Sequence, residues 1–111
     1  MALAKKHRLN LRLYRQRVEE SCKKLHSPFF TYLVASQIDH LSNSRFAILM
    51  SKKLARKAVD RNKIKRKISQ SIQNTLPNLP QHHDIILIPK KTILGKTITQ
   101  ISKDFNHVQN I

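Results

Sequence analysis

Glycine occurs once in these 111 residues, cysteine once, tryptophan not at all, and only six side chains are acidic. Each scarcity excludes something. With Cys22 alone, no intramolecular disulfide can form and no zinc site built on paired cysteines is available. One glycine and four prolines rule out a collagen-like repeat or a flexible glycine-rich linker. The start, MALAKKHRLN, has no apolar stretch of signal-peptide length, and no run approaches the roughly 18 apolar residues of a membrane span. The expectation is a soluble chain in a reducing cytoplasm. Against six acids stand 22 Lys and Arg, a formal net charge of +16. That imbalance says nothing about fold, but it predicts attraction to nucleic acid or an anionic surface and self-repulsion without a partner.

The 40% hydrophobic content is too high for a basic tail that never folds, and the length suits one domain over residues 1–111. Residues 1–9 are basic and poor in apolar side chains, as expected of a mobile arm. Leu11, Tyr14, Val18, Cys22 and Leu25 then recur at spacings of three and four, one face of an amphipathic helix with Asn10 as its N-cap. Pro28 breaks that pattern. FFTYLVA (29–35) reads as a strand with Phe30, Tyr32 and Val34 on one face and Phe29, Thr31 and Leu33 on the other. SQIDHLSNS reads as a loop, RFAILMS (45–51) as a central strand and DIILIP (84–89) as a further strand. Between the last two, Ile64, Ile68 and Ile72 stack at helical spacing until Pro77 and Pro80. Gly95 precedes a final helix with Ile98, Ile101, Phe105 and Val108 on one side. A helix linking two strands suits a parallel crossover, hence a small α+β sandwich with helices packed on the sheet.

The densest feature is ARKAVDRNKIKRK, residues 55–67, with seven basic residues and one acid. Extended to residue 52, the stretch holds nine of the 22 basic residues: Lys52, Lys53, Arg56, Lys57, Arg61, Lys63, Lys65, Arg66 and Lys67. A merely solvated helix face usually mixes signs, because like charges one turn apart repel. Here only Asp60 opposes them, and a phosphate backbone would supply the missing anions. A membrane surface fits less well, since the apolar stripe of this helix is needed for the core. At about 100° per residue, Asn62, Lys63 and Arg66 point away from the isoleucines, Lys65 lies at the boundary, and Arg61 falls close to the apolar stripe.

Catalytic chemistry is hard to place. His82 and His83 are adjacent, so their side chains diverge, and there is no HxxxH pair. Asp60 and Asp84 have no close acidic companion to share a hydrolytic metal pair, and Asp84 reads as an exposed strand start. Arg56, Lys57 and Lys63 are the expected partners of Asp60. Cys22 and Ser51 lack a recognisable base. No catalytic and no metal-ligating residue is therefore assigned. Tyr14, Phe29, Phe30 and Tyr32 are four of the six aromatics; core filling competes with a role as stacking platforms for unpaired bases.

ARKAVDRNKIKRK resembles the signature of the bacterial ribonuclease P protein components. In that family two lysines precede a basic helix with an arginine–asparagine–arginine core followed by Ile-Lys-Arg. The corresponding elements are Lys52-Lys53, Ala58, Arg61-Asn62-Lys63 and Ile64-Lys65-Arg66. RLNLRLYRQRV is similar to the family's first helix, SRFAILMSKK to its central strand and HHDIILIPKK to its last strand.

The resemblance implies an αβββαβα fold with a short extra strand within 23–27 and a left-handed crossover between the last two strands, against the general right-handed rule. It implies that an RNA subunit hydrolyses precursor tRNA with Mg²⁺, removing the 5′ leader, while the protein binds that RNA and the leader. By position, Lys52, Lys53, Arg56, Arg61, Asn62, Lys63, Lys65 and Arg66 would face the RNA subunit. Tyr14, Val18, Phe30 and Tyr32 would line a leader cleft between the first helix and the sheet. Lys63 departs from the family's second arginine and keeps the charge without the planar fork; Ser69 replaces a common basic residue, and Val18 a frequent aromatic. The partners so implied are the ribonuclease P RNA and precursor tRNA, not DNA and not a membrane. The alternative is a ribosomal or other structured-RNA-binding protein with no part in cleavage.

Overall fold

The computed structural model describes residues 5–37, 43–51, 53–79 and 82–108. The elements are α1 (Leu11–Ser21), β1 (Lys23–His26), β2 (Phe30–Ser36), β3 (Arg45–Ile48), α2 (Ala58–Thr75), β4 (His83–Pro89) and α3 (Ile98–Asp104). This is the αβββαβα order. The sheet runs β1-β2-β4-β3: β2 pairs antiparallel with β1 and β4, while β3 lies parallel to β4, the return being made through α2. Most of SQIDHLSNS, together with Lys52 and Pro80, lies outside the described residues.

Local chemistry sets most boundaries. Asn10 accepts a hydrogen bond from the Arg12 amide at 3.0 Å and opens α1 as expected of an N-cap. The helix stops at Ser21. Cys22 is its C-cap and Leu25 belongs to β1, so the helical spacing ran one turn past the helix. The residues from Lys23 on extend to pair with Val34, Leu33, Tyr32 and Thr31. Gly95, at φ 75°, makes the turn before α3. Thr97 then forms a capping box with Gln100, each side chain taking the other's amide. Residues 5–9 also join the fold, against the expectation of a loose arm. Arg8 bridges Phe46, the Leu9 amide donates to the Phe46 carbonyl at 2.8 Å, and Leu9 is buried.

The sheet carries two unequal cores. On one face Val18 of α1, Leu33, Ala35, Ala47, Ile86 and Leu9 pack together. On the other, α2 and α3 cover Phe30, Tyr32, Val34, Phe46, Ile85 and Leu87 with Ile68, Ile72, Ile101, Phe105 and Val108. Alternation along β2 therefore sends Phe30 and Tyr32 away from α1. Both have no exposed surface, and their rings sit 5.3 Å apart beside Phe105.

A carboxylate is built into the larger core. Asp104, buried at the end of α3, accepts bonds from the Tyr32 and Ser27 hydroxyls at 2.5 Å each and from the Phe29 amide at 3.3 Å. It fastens α3 to the β1–β2 turn. Burial, and next the bond to Asp104, push the Tyr32 phenol well above its ordinary value of 10.0. Raising the pH past that value ionises the tyrosine in the unfolded chain and not in the folded one. Stability from this group is thus fully present below pH 10.0 and falls as the pH rises beyond it. Tyr32→Phe should be less stable at neutral pH, by about 1–2 kcal/mol for the lost hydroxyl bond, and should show a shallower alkaline decline. Chemical denaturation at successive pH values measures both.

Candidate nucleic-acid interface

The basic motif occupies the first half of α2. Lys57 sits at the N-cap position without a side-chain cap bond. The positive end of the helix dipole therefore coincides with Arg56, Lys57 and Lys63, and only Asp60 in the first turn opposes it. Asp60 is exposed and makes no ion pair among the described residues, so the expected pairing with Arg56, Lys57 or Lys63 is not formed. Arg56, Lys57, Asn62, Lys63, Arg66 and Lys67 are exposed, while Lys53 stands exposed in the preceding turn. Ile64 is half-buried and Ile68 and Ile72 are buried beneath them. The helix thus presents one cationic face to solvent and one aliphatic face to the sheet.

Two motif residues behave differently from their neighbours. Arg61, which the spacing placed near the apolar stripe, is half-buried. Its Nη1 donates to the carbonyls of Ala55 at 3.0 Å and Arg56 at 2.7 Å, pinning the segment that enters the helix. Its guanidinium stabilises the presentation of the motif from within. Lys65, also half-buried, turns toward the N-terminal segment. There it lines a pocket of about 400 Å³ together with Arg8, Asn10 and Arg12. The Arg8–Phe46 pairing brings Arg12, at the start of α1, to the same pocket as Lys65 of α2.

The aromatic assignments need correction. Phe30 and Tyr32 are sealed in the α2–α3 core, and Val18 is fully buried beneath α1, so none of the three offers a surface to a ligand. Tyr14 is half-buried. The Arg45 guanidinium lies 4.4 Å from its ring centre and that of Arg17 lies 5.8 Å away. What lies open beside α1 is a groove of about 340 Å³ lined by Glu19, Lys24, His26, Thr31, Leu33 and Ile88. Thr31 and Leu33 belong to the β2 face opposite Phe30 and Tyr32. The alternation was legible, but which face meets α1 was not.

The largest correction concerns Asp84, which is wholly buried on the α1 side of the sheet. Arg45 grips it through two bonds of 2.9 Å, Arg17 of α1 donates at 3.2 Å and the Gln37 amide at 2.9 Å. The carboxylate raises the already high pKa of the Arg45 guanidinium. Tyr14, Arg17, Arg45 and Asp84 thereby lock α1 to β3 and β4, setting one wall of the groove.

Comparison with known proteins fits this geometry. A family model described as ribonuclease P matches residues 3–110. The chain belongs to that family. It is 40% identical over 82 residues to the ribonuclease P protein component of Legionella pneumophila (strain Corby), covering 70% of this chain and 68% of the relative. Against the component from Vibrio vulnificus (strain YJ016) it is 31% identical over 91 residues, 82% of this chain and 75% of the relative. The solved ribonuclease P protein from Thermotoga maritima superposes with a TM-score of 0.83 at 25% identity, covering 94% of this chain and 96% of that one. Family membership makes the chain a protein component of a tRNA-processing ribonuclease with an RNA partner. Among the described residues no helix is long and apolar enough to cross a membrane.

Proposed function

We propose that the protein is the subunit of a cytoplasmic ribonuclease P that binds the catalytic RNA through α2 and holds the precursor tRNA 5′ leader in the groove beside α1. The observation that supports this most strongly is the unopposed cationic face of α2, concentrated at the positive end of the helix dipole. Its binding residues are Lys53, Arg56, Asn62, Lys63, Lys65 and Arg66, with Arg61 bracing them from behind; Lys52 is carried by the family motif alone. Lys24, His26 and Thr31 supply polar contacts in the groove, and Leu33 and Ile88 an apolar floor. The protein brings two polyanions together and relieves their repulsion.

Hydrolysis is assigned to the RNA subunit and its Mg²⁺. Among the described residues no three His, Cys, Asp or Glu side chains gather in a donor set, and the buried carboxylates already have other partners. Mixing the protein with a ribonuclease P RNA and precursor tRNA at low magnesium tests this reading. Cleavage that needs the RNA and is stimulated by the protein supports it. Binding without stimulation favours a structured-RNA-binding protein, and cleavage without the RNA a protein nuclease. Asp60→Asn should leave the single-turnover chemical step within about twofold at saturating RNA and Mg²⁺, since a lone exposed carboxylate cannot hold a hydrolytic metal pair.

A further inference from the structure

The pocket at the outer edge of β3 has a construction that the cationic face of α2 does not account for. Its floor is apolar, formed by Phe46, Ile48 and Ile72, and its rim carries Arg12, Lys65 and Ser69. Lys65 is half-buried, and neither it nor Arg12 has a side-chain partner among the described residues. A half-buried ammonium without a counter-charge is unfavourable, and an anion seated at the rim would relieve it.

The edge of β3 supplies a second, independent feature. Backbone groups along a strand face alternate sides. The Phe46 carbonyl takes the Leu9 amide, whereas the Leu49 amide reaches across to Leu87 of β4. Ile48 therefore directs its N–H and C=O to the same side as Phe46. The chain there has already turned away at Asn10 to begin α1, and no partner for either group is found among the described residues. A donor and an acceptor lie side by side above an apolar floor, with a cation at the rim. That arrangement complements a nucleobase edge, a base face and a phosphate together.

We propose that this pocket accepts a single unpaired nucleotide extruded from the RNA that α2 binds, its base edge on the Ile48 backbone and its phosphate between Lys65 and Arg12. The proposal rests on the RNA-binding reading above. It adds a base-reading subsite to a surface whose basic side chains suit phosphate contacts. The volume of about 400 Å³ falls within the range of small-molecule sites. Lys65 belongs to both the pocket rim and the motif, so the occupant would be continuous with the strand lying along α2.

The test is a titration of the intact protein, followed by amide NMR, with adenosine 5′-monophosphate and separately with inorganic phosphate. Shifts at Ile48 and Ala47 with the nucleotide alone, and at Lys65 with both, are expected. Ile48→Pro removes the edge N–H without touching the β4 ladder and should weaken the nucleotide roughly tenfold while sparing phosphate. Lys65→Ala should weaken both, and serves alone if the proline variant does not fold. Identical shifts with nucleotide and phosphate, or none in the pocket, overturn the proposal. Nucleotide binding by a protein that fails to bind ribonuclease P RNA would retain the pocket and remove the functional reading. RNA binding with no response to the mononucleotide would do the reverse.

Discussion

Asp84→Ala should lower the free energy of unfolding by about 3–5 kcal/mol. Asp84 has no exposed surface, and its two oxygens accept from Arg45, Arg17 and Gln37. Truncation leaves two guanidiniums, with only 22% and 34% of their side-chain surface exposed, facing a hole instead of a counter-charge. Removing one partner of a buried pair is far costlier than the pair is stabilising, because the other charge stays desolvated. Denaturant unfolding reads the loss directly. An unchanged midpoint would mean that water replaces the carboxylate. At temperatures where the variant remains folded, α1 loses its tether to β4. Affinity for leader-bearing precursor tRNA should then drop more than affinity for mature tRNA.

The second large effect is on assembly with RNA. Replacing Arg56, Lys63 and Arg66 together by alanine should weaken binding of the RNA subunit by about a hundredfold near physiological salt. The slope of log affinity against log salt should become shallower by about two to three units. Lys63 and Arg66 are exposed on α2 and Arg56 in the segment that enters it, and none forms an ion pair among the described residues, so their removal costs the fold little. Filter binding at several salt concentrations measures both quantities, and an unchanged slope would relocate the RNA contact. Arg61→Ala belongs to a different class. Its guanidinium holds the Ala55 and Arg56 carbonyls, so its loss should appear first in thermal stability.

The contrast between Arg61 and Lys63 shows what the sequence could convey. Helical spacing placed Ile64, Ile68 and Ile72 on one face and Lys63 and Arg66 on the other, because that period is local and repeats. It flagged Arg61 as anomalous without saying what its guanidinium would reach, since the partners lie in an irregular turn outside any period. The strand pattern likewise separated Phe30 and Tyr32 from Thr31 and Leu33. It could not say which set meets α1, because both sets contain apolar side chains and each face of the sheet is covered. The burial of Asp84 is invisible to spacing for a related reason. Its partners Arg17, Gln37 and Arg45 lie 67, 47 and 39 positions away, beyond any window of spacing. Tyr32 and Asp104 are 72 positions apart and equally hidden. The family signature carried the fold order and the motif; it did not carry which aromatics this chain buries.

The two cores on either side of the sheet differ in kind. On the α2–α3 side, layered aliphatic and aromatic packing is closed by the Asp104 network; α1 rests on a smaller patch around Val18, held laterally by ionic contacts to Asp84. The layers are therefore separable. Amide protons of α1 can exchange by a sub-global opening in which that helix lifts while the sheet and the other two helices stay formed. The α1 wall of the groove is then expected to exchange faster than the sheet it rests on, and a strand of RNA laid between α1 and the sheet would close it like a clasp.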